Sequence, residues 1–387
     1  MNLLILGPSD MFHLRQFVRE LSVRGHRVHV VSMKSQPVPG ATFERFAVPP
    51  FSLHYPYRWQ ARWRAKVRDW FRRYDLVNVH FLADWGIDDE SASRGRLSCY
   101  VYGSDVVHVA SLPPPPQRLA QVRKQLVRCA HSVAVSGVGF RSTVASFAGI
   151  PPDRVTTLPL GVATQLFKPA PSKTRHPVTV GYFKGFEPVY DPMLAVETAA
   201  LLLHRSPDVR FEFIGEGQLR DACQARAKQL GIDSSIRWLG RLPQTTLAEH
   251  LRRWDVALFT SIAESFCLSA LEASAAAVPV VAPAVGGLNE TIIHGQTGVL
   301  TPNRDARTLA QEIHGLLIDP ERRRLMGSTG RKRVLEQFQR GPCMDRIVRH
   351  FERIANRRAR TPASPRQAPD GLARTEAQTA PAEILDR

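Results

Sequence analysis

The sequence predicts an α/β protein built from two doubly wound domains that face each other across a cleft. Three observations carry that expectation. Short apolar runs alternate with longer segments whose apolar residues recur at helical spacing, from Leu3 through Leu300. The alternation pauses once, around Pro159 to Pro169, and then restarts. The chain of 387 residues suits two domains at roughly 150 residues each, and 43% hydrophobic with 22% charged residues is a globular balance.

Taken in order, Leu3 to Leu6 is an apolar run ending at Gly7. Phe12 to Arg24 has helical spacing, and Val28 to Val31 is again strand-like after Gly25-His26, a β-α-β start. Further strands are expected at Leu76 to Val79, Ser98 to Tyr102 and Ser132 to Val135. Such alternation implies a parallel sheet covered on both faces, with ligands at the carboxyl ends of the strands. Pro169 to Pro177 reads as a polar, proline-bounded connector. The second series runs through Val178 to Val180, Arg210 to Ile214, Ile236 to Leu239, Val256 to Phe259, Pro279 to Ala282 and Gly298 to Leu300. The expected organisation is an N-terminal domain over 1–168, a connector over 169–177 and a C-terminal domain over 178–340. A helix over 341–360 should pack back on the N-terminal domain, and the tail 361–387, rich in Ala, Pro, Arg and Thr without periodicity, should be disordered.

The longest uncharged stretch, Ala273 to Asn289, is broken by Pro279, Pro283, Gly286 and Gly287, so no transmembrane helix is expected. Met1 to Gly7 has neither a basic n-region nor a long enough apolar run for a secretory signal, which points to the cytoplasm. Five scattered cysteines without a Cys-x-x-Cys pair argue against a disulfide framework and a zinc site. Lysine plus arginine, 52, against aspartate plus glutamate, 35, gives a net charge of +17, so the expected substrate or partner is anionic.

The most informative stretch runs from Ser261 through Glu264, Ser265, Phe266, Cys267 and Leu268 to Glu272. It is followed by Val278 to Ala282 and by Gly286-Gly287-Leu288-Asn289-Glu290. A strand ends in a loop and a helix begins near Cys267. A helix amino terminus offers free N–H groups and the positive end of its dipole, a seat for a diphosphate. Glu272, about one and a half turns further in, could accept hydrogen bonds from ribose hydroxyls, and Glu264 in the loop could bind sugar hydroxyls. Taken singly, both glutamates read equally as solvated surface charges.

The Glu264-x7-Glu272 spacing, Pro279-Val280-Val281, Gly286-Gly287, Trp254-Asp255-Val256 and Gly295-Gln296-Thr297-Gly298 together resemble the retaining glycosyltransferases of family 4. The resemblance covers residues 1 to about 355. It implies two Rossmann-like domains with a donor cleft between them, the GT-B architecture. It also implies that Lys184 in Gly181-Tyr182-Phe183-Lys184-Gly185 neutralises the donor diphosphate, and that Gly181, Phe266, Cys267 and Leu268 border the donor. Gly240-Arg241-Leu242 resembles the loop whose backbone reads the nucleotide base, with a structural turn as the alternative. In the first domain His13 is similar to a subgroup histidine at the start of the first helix. Tyr102 stands where many members have histidine near the reacting carbon, and Asp105 follows in Gly103-Ser104-Asp105. Cys267 and Ala277 replace family glycines, and glycine permits close backbone approach there.

A separate segment, Arg58 to Arg73, places Trp59, Trp63, Val67 and Trp70 on one helical face, with seven cations against one aspartate, net +6. This is the composition of an interfacial helix drawn to anionic lipid. The alternative is a helix that buries its tryptophans on the domain.

The expected function is retaining transfer of a sugar from a nucleotide diphosphate sugar to a lipid-linked or glycan acceptor, in cell-surface polysaccharide or glycolipid synthesis. The expected place is the cytoplasm, peripheral on the inner face of the cell membrane through 58–73. No Asp-x-Asp occurs, so no metal and no cofactor beyond the nucleotide sugar is expected. No nucleic-acid partner is expected either. The alternative is a catalytically silent nucleotide-sugar binding or scaffold subunit, motivated by Cys267, Ala277 and the lack of a second clear cation.

Overall fold

A computed structural model describes residues 1–46, 57–93, 96–107, 117–170 and 177–356. The first half contains β1 (Asn2–Leu6), α1 (Phe12–Val23), β2 (Arg27–Ser32), β3 (Thr42–Arg45), α2 (Tyr57–Arg73), β4 (Leu76–His80), α3 (Asp89–Ser93) and β5 (Leu97–Tyr100). It continues with α4 (Gln117–Cys129), β6 (Ser132–Val135), α5 (Phe140–Ala148) and β7 (Val155–Thr157). These strands form one sheet in the order β3-β2-β1-β4-β5-β6-β7, every pair parallel. The inner strands read as nearly unbroken apolar runs because helices cover both faces: every residue of β4 is buried, Asn78 and His80 included.

The second half contains β8 (Thr179–Phe183), α6 (Pro192–Arg205), β9 (Arg210–Ile214), α7 (Arg220–Gln229), β10 (Ile236–Gly240), α8 (Gln244–Leu251), β11 (Val256–Leu258) and α9 (Leu268–Ala275). It ends with β12 (Val280–Pro283), α10 (Leu288–Thr291), β13 (Gly298–Thr301), α11 (Ala306–Leu317), α12 (Pro320–Gln337) and α13 (Arg340–Ala355). Its sheet runs β10-β9-β8-β11-β12-β13, again all parallel. In both sheets the order reverses between the first strand and a later neighbour, β1 beside β4 and β8 beside β11. Ligands of open parallel sheets bind at such switch points, beyond the carboxyl ends of the strands.

Two strands are additions to those expected from the sequence. β3 is a half-exposed edge strand of four residues and β7 has only three. β8 also runs further than expected, to Phe183, which brings Lys184 to the strand's carboxyl end.

The apolar face of α2 meets the domain. Val67 and Trp70 are buried, while Trp63 stacks near Phe46 with centroids 4.2 Å apart and donates from Nε1 to the Trp85 carbonyl at 3.1 Å. Val67 and Trp70 are thus core residues and Trp63 packs partly buried against them, the arrangement of the alternative reading in which the helix covers the domain. The side chains of Arg58, Trp59 and Arg62 lie outside the described residues, as do connector residues 171–176 and the tail 361–387.

After α12 the chain crosses back. Met344, Ile347, Phe351 and Ile354 of α13 join Leu3, Ile5, Phe17 and Val18 in one apolar cluster; each such buried side chain contributes about 1.5–3 kcal/mol. Two crossing strands lie side by side at this point. Val162 N–H donates to the Phe338 carbonyl at 2.8 Å, and Arg340 N–H to that of Val162 at 2.9 Å. Gly161, at φ 74°, passes so close to Arg340 that a Cβ would sit 2.7 Å from its Cα. Among the described residues no helix is long and apolar enough to cross a membrane.

Candidate active site

The carboxyl ends of β8 and β11 place Lys184 and Glu264 together. Lys184 Nζ lies 2.6 Å from Glu264 Oε1, with side chains only 10% and 8% exposed. The Ser261 hydroxyl donates to the same carboxylate at 2.8 Å. The ammonium also faces the Tyr190 ring at 4.7 Å and the Phe259 ring at 5.7 Å. Burial alone would lower the Lys184 pKa, yet its neighbours Cys267 and Glu264 hold it well above the ordinary lysine value, so the side chain stays cationic. Solvated surface charges, the alternative reading for the two glutamates, are excluded by this enclosure.

Backbone glycines make the enclosure. A Cβ at Gly286 would meet the Glu264 carbonyl at 2.1 Å, and one at Gly215 the Lys184 carbonyl at 2.0 Å. The Gly286-Gly287 and Gly215-Glu216-Gly217 turns therefore cradle the loops that carry the two charged side chains.

Cys267 precedes α9, whose amino terminus has no side-chain cap; Cys267, Leu268 and Ser269 border the cleft. Its φ is 66°, and that of Ala277 is 59°. The two positions where the family has glycine are thus left-handed, and the side chains are carried at a cost of about 1–2 kcal/mol each without a change of backbone region. Glu272 is buried and accepts from Gln244 Nε2 at 3.1 Å. This bond ties Glu272 to the segment that follows Arg241 and Leu242. Burial pushes the Glu272 carboxyl up to about 7, against the opposing pull of Arg340 and Lys184.

Gly181 does not reach the cleft. It is buried within β8, where a Cβ would clash with the Trp254 ring at 2.0 Å, so its role is sheet packing. Arg241 is exposed and Leu242 half-exposed, outside the residues that line the cavity. Phe266 is largely buried but is among the residues that line the cavity.

The N-terminal domain supplies the facing wall. His13 and Tyr102 line it with rings stacked 6.4 Å apart. Burial, then the nearby Lys184 and Arg340 charges, lower the His13 pKa to about 4, so it is neutral at pH 7. Tyr102 Oη lies 2.7 Å from His80 Nδ1. Asp105 is fully buried, and its carboxylate accepts from the amides of Gly103 at 2.8 Å, Tyr102 at 3.2 Å and Leu82 at 3.3 Å. Its oxygens hold the loop that carries Tyr102, and Asp105 is among the residues at the cavity wall.

The domains touch across the cleft. Glu290 of α10 accepts from the amides of Val138 at 2.6 Å and Gly139 at 2.7 Å, at the amino terminus of α5. Between the two walls lies a cavity of about 800 Å³. Glu290, His80 and Arg340 were not singled out as site residues in the sequence. Only Glu290 carried a signal, as the last residue of the Gly286 to Glu290 motif.

Residues 12–166 match the family described as Glycosyltransferase Family 4, and residues 165–333 match Glycosyl transferases group 1. Together the two matches span most of the chain. The protein is a glycosyltransferase, its first half similar to the one family and its second half to the other. A D-inositol 3-phosphate glycosyltransferase of Thermobispora bispora is 30% identical over 280 residues, 65% of this chain and 64% of that protein. One of the same name from Kribbella flavida is 29% identical over 372 residues, 83% of this chain and 86% of that protein. The fold is shared with Anabaena HepE, solved in complex with UDP and glucose, at TM-score 0.75, 19% identity and coverage of 91% of this chain and 99% of that one. It is shared also with a glycosyltransferase from Rickettsia africae at TM-score 0.76, 14% identity and coverage of 92% and 99%. These neighbours establish the two-domain GT-B architecture of this glycosyltransferase.

Proposed function

We propose that this glycosyltransferase moves a sugar from a nucleotide diphosphate sugar to an acceptor with retention of anomeric configuration. The observation that carries the reading is the enclosed Lys184–Glu264 pair beside the uncapped amino terminus of α9, facing His13 and Tyr102 across the cleft. Lys184 and the α9 amides would stabilise charge on the leaving diphosphate, the step at which negative charge develops. Glu264 would accept from sugar hydroxyls and Glu272 from the ribose. The leaving phosphate would take the acceptor's proton, so no protein nucleophile is required. The complex of Anabaena HepE with UDP and glucose supports a nucleotide sugar as donor. The net charge of +17 supports an acceptor held at an anionic surface, as in cell-surface polysaccharide or glycolipid synthesis on the inner face of the cell membrane.

The test is donor turnover followed by proton NMR with UDP-, GDP-, ADP- and dTDP-sugars, water serving as acceptor. Release of the sugar first as the anomer present in the donor is expected for one of these. Release of the opposite anomer first would rule out retention, and no turnover of any donor with or without added glycan would count against the enzyme.

A further inference from the structure

We propose that the N-terminal arm of the cleft is an apolar acceptor subsite, so that the hydroxyl receiving the sugar is carried on a hydrophobic aglycone. The proposal rests on the transferase reading above and names the class of its acceptor. Phe81 follows β4, Val106 and Val107 lie in the loop after β5, and Phe140 and Phe147 lie seven residues apart on α5, on one helical face. All five line the same cavity as Lys184 and Glu264. Phe140 is buried, but the other four remain half-exposed, so the fold leaves apolar surface open to the cavity. Apolar surface of this kind, continuous with a polar reaction centre, is the usual build of a small-molecule site.

Phe81 adds an independent observation. Its φ is 70°, a costly conformation for a bulky side chain and one that persists where surrounding structure enforces it. The enforcement is visible. Arg123 Nε donates to the Leu82 carbonyl at 2.8 Å and its guanidinium stands 5.9 Å from the Phe81 ring. The fold thus holds an aromatic ring against the cleft and uses the arm's cation to keep it there. A free inositol phosphate, the compound in the names of the relatives above, would set hydroxyls and a phosphate against these rings, with Arg123 as the one lysine or arginine among the described lining residues of the arm and the Asp105 carboxylate as a like-charged neighbour. Polar groups left unmatched in this way are penalised, whereas an apolar aglycone would take both surfaces out of water.

The experiment compares octyl β-D-glucoside with methyl β-D-glucoside, both monomeric, by calorimetric titration of the full chain. Octyl glucoside should bind at least roughly tenfold tighter, and Val107→Asp and Phe147→Ser should each remove most of that preference. Equal affinity for the two glycosides, no binding of octyl glucoside, or an undiminished preference in folded variants would overturn the proposal. A photoreactive alkyl glucoside on the wild-type protein needs no variant. Labelling should fall on peptides carrying Val106, Val107 or Phe147, and labelling confined elsewhere would overturn it. UDP and GDP titrations are scored separately: loss of both would sink the transferase reading while the glycoside comparison still reports on the subsite.

Discussion

Glu272 has a carboxyl raised to about 7 by burial, and two consequences with definite signs follow. A carboxyl raised on folding binds more protons in the native state, so its contribution to stability is present below the unfolded value and is lost as pH rises through about 7. Ribose hydroxyls donate to the ionised form, so nucleotide affinity should climb with pH, falling by up to about tenfold per unit below 7, and should level off above it. In Glu272→Gln the climb should vanish; a slope unchanged in that variant would remove Glu272 from the nucleotide site. Ala277 gives a second prediction at this scale. Its φ of 59° favours glycine, so Ala277→Gly should stabilise the fold by about 1 kcal/mol, read as a higher midpoint in thermal or urea unfolding, and a lower midpoint would contradict the strain argument. Spacing made Glu264 and Glu272 legible in the sequence. Their enclosure was not, because that of Glu264 with Lys184 depends on Gly286 and Gly215 packing against the loops that carry them, and that of Glu272 on its burial in α9 beside Gln244. Gly181 misled because a glycine beside a binding motif can equally be required by a tryptophan packed on the strand.

Among the elements, α2 shows how far periodicity reaches. The sequence specified an amphipathic helix with a tryptophan face and a cationic face, but what the apolar face meets is decided by β4 and the loops beside it. With Val67 and Trp70 buried and Trp63 packed against them, what the described side chains of this helix offer a membrane is chiefly charge. Arg64 and Arg72 are exposed and Arg68 is half-exposed. Binding to anionic vesicles should therefore be wholly salt-sensitive, at about 1 kcal/mol per cation near the surface. Sedimentation with vesicles of anionic phospholipid should fall on changing Arg64, Arg68 and Arg72 to Gln together. Binding that survives high salt would instead indicate insertion. Inner strands such as β1, β4 and β12 were legible as apolar runs because a parallel sheet buries both faces. β3 and β7 escaped because a short edge strand has neither the length nor the burial to leave such a run.

For the whole molecule, the two domains are tied by the paired crossing strands at Val162 and Arg340 and by Glu290 across the cleft. The Glu290 bonds are solvent-exposed, so a contribution of about 1 kcal/mol is reasonable, enough to shift an open–closed balance roughly fivefold. Small-angle scattering of Glu290→Ala without nucleotide should show a larger radius of gyration than wild type; identical profiles would show that other contacts hold the cleft. The central claim is that this cleft seats a diphosphate on Lys184. Its most direct test is calorimetric titration of UDP against uridine, and of GDP against guanosine, into wild type and Lys184→Ala. The nucleoside affinity serves as the control for any structural loss when the buried Glu264 loses its partner. The diphosphate should lose roughly tenfold or more in affinity, as expected for a charge-assisted hydrogen bond of about 1.5–3 kcal/mol, while the nucleoside changes little. Equal losses for nucleotide and nucleoside would contradict the assignment.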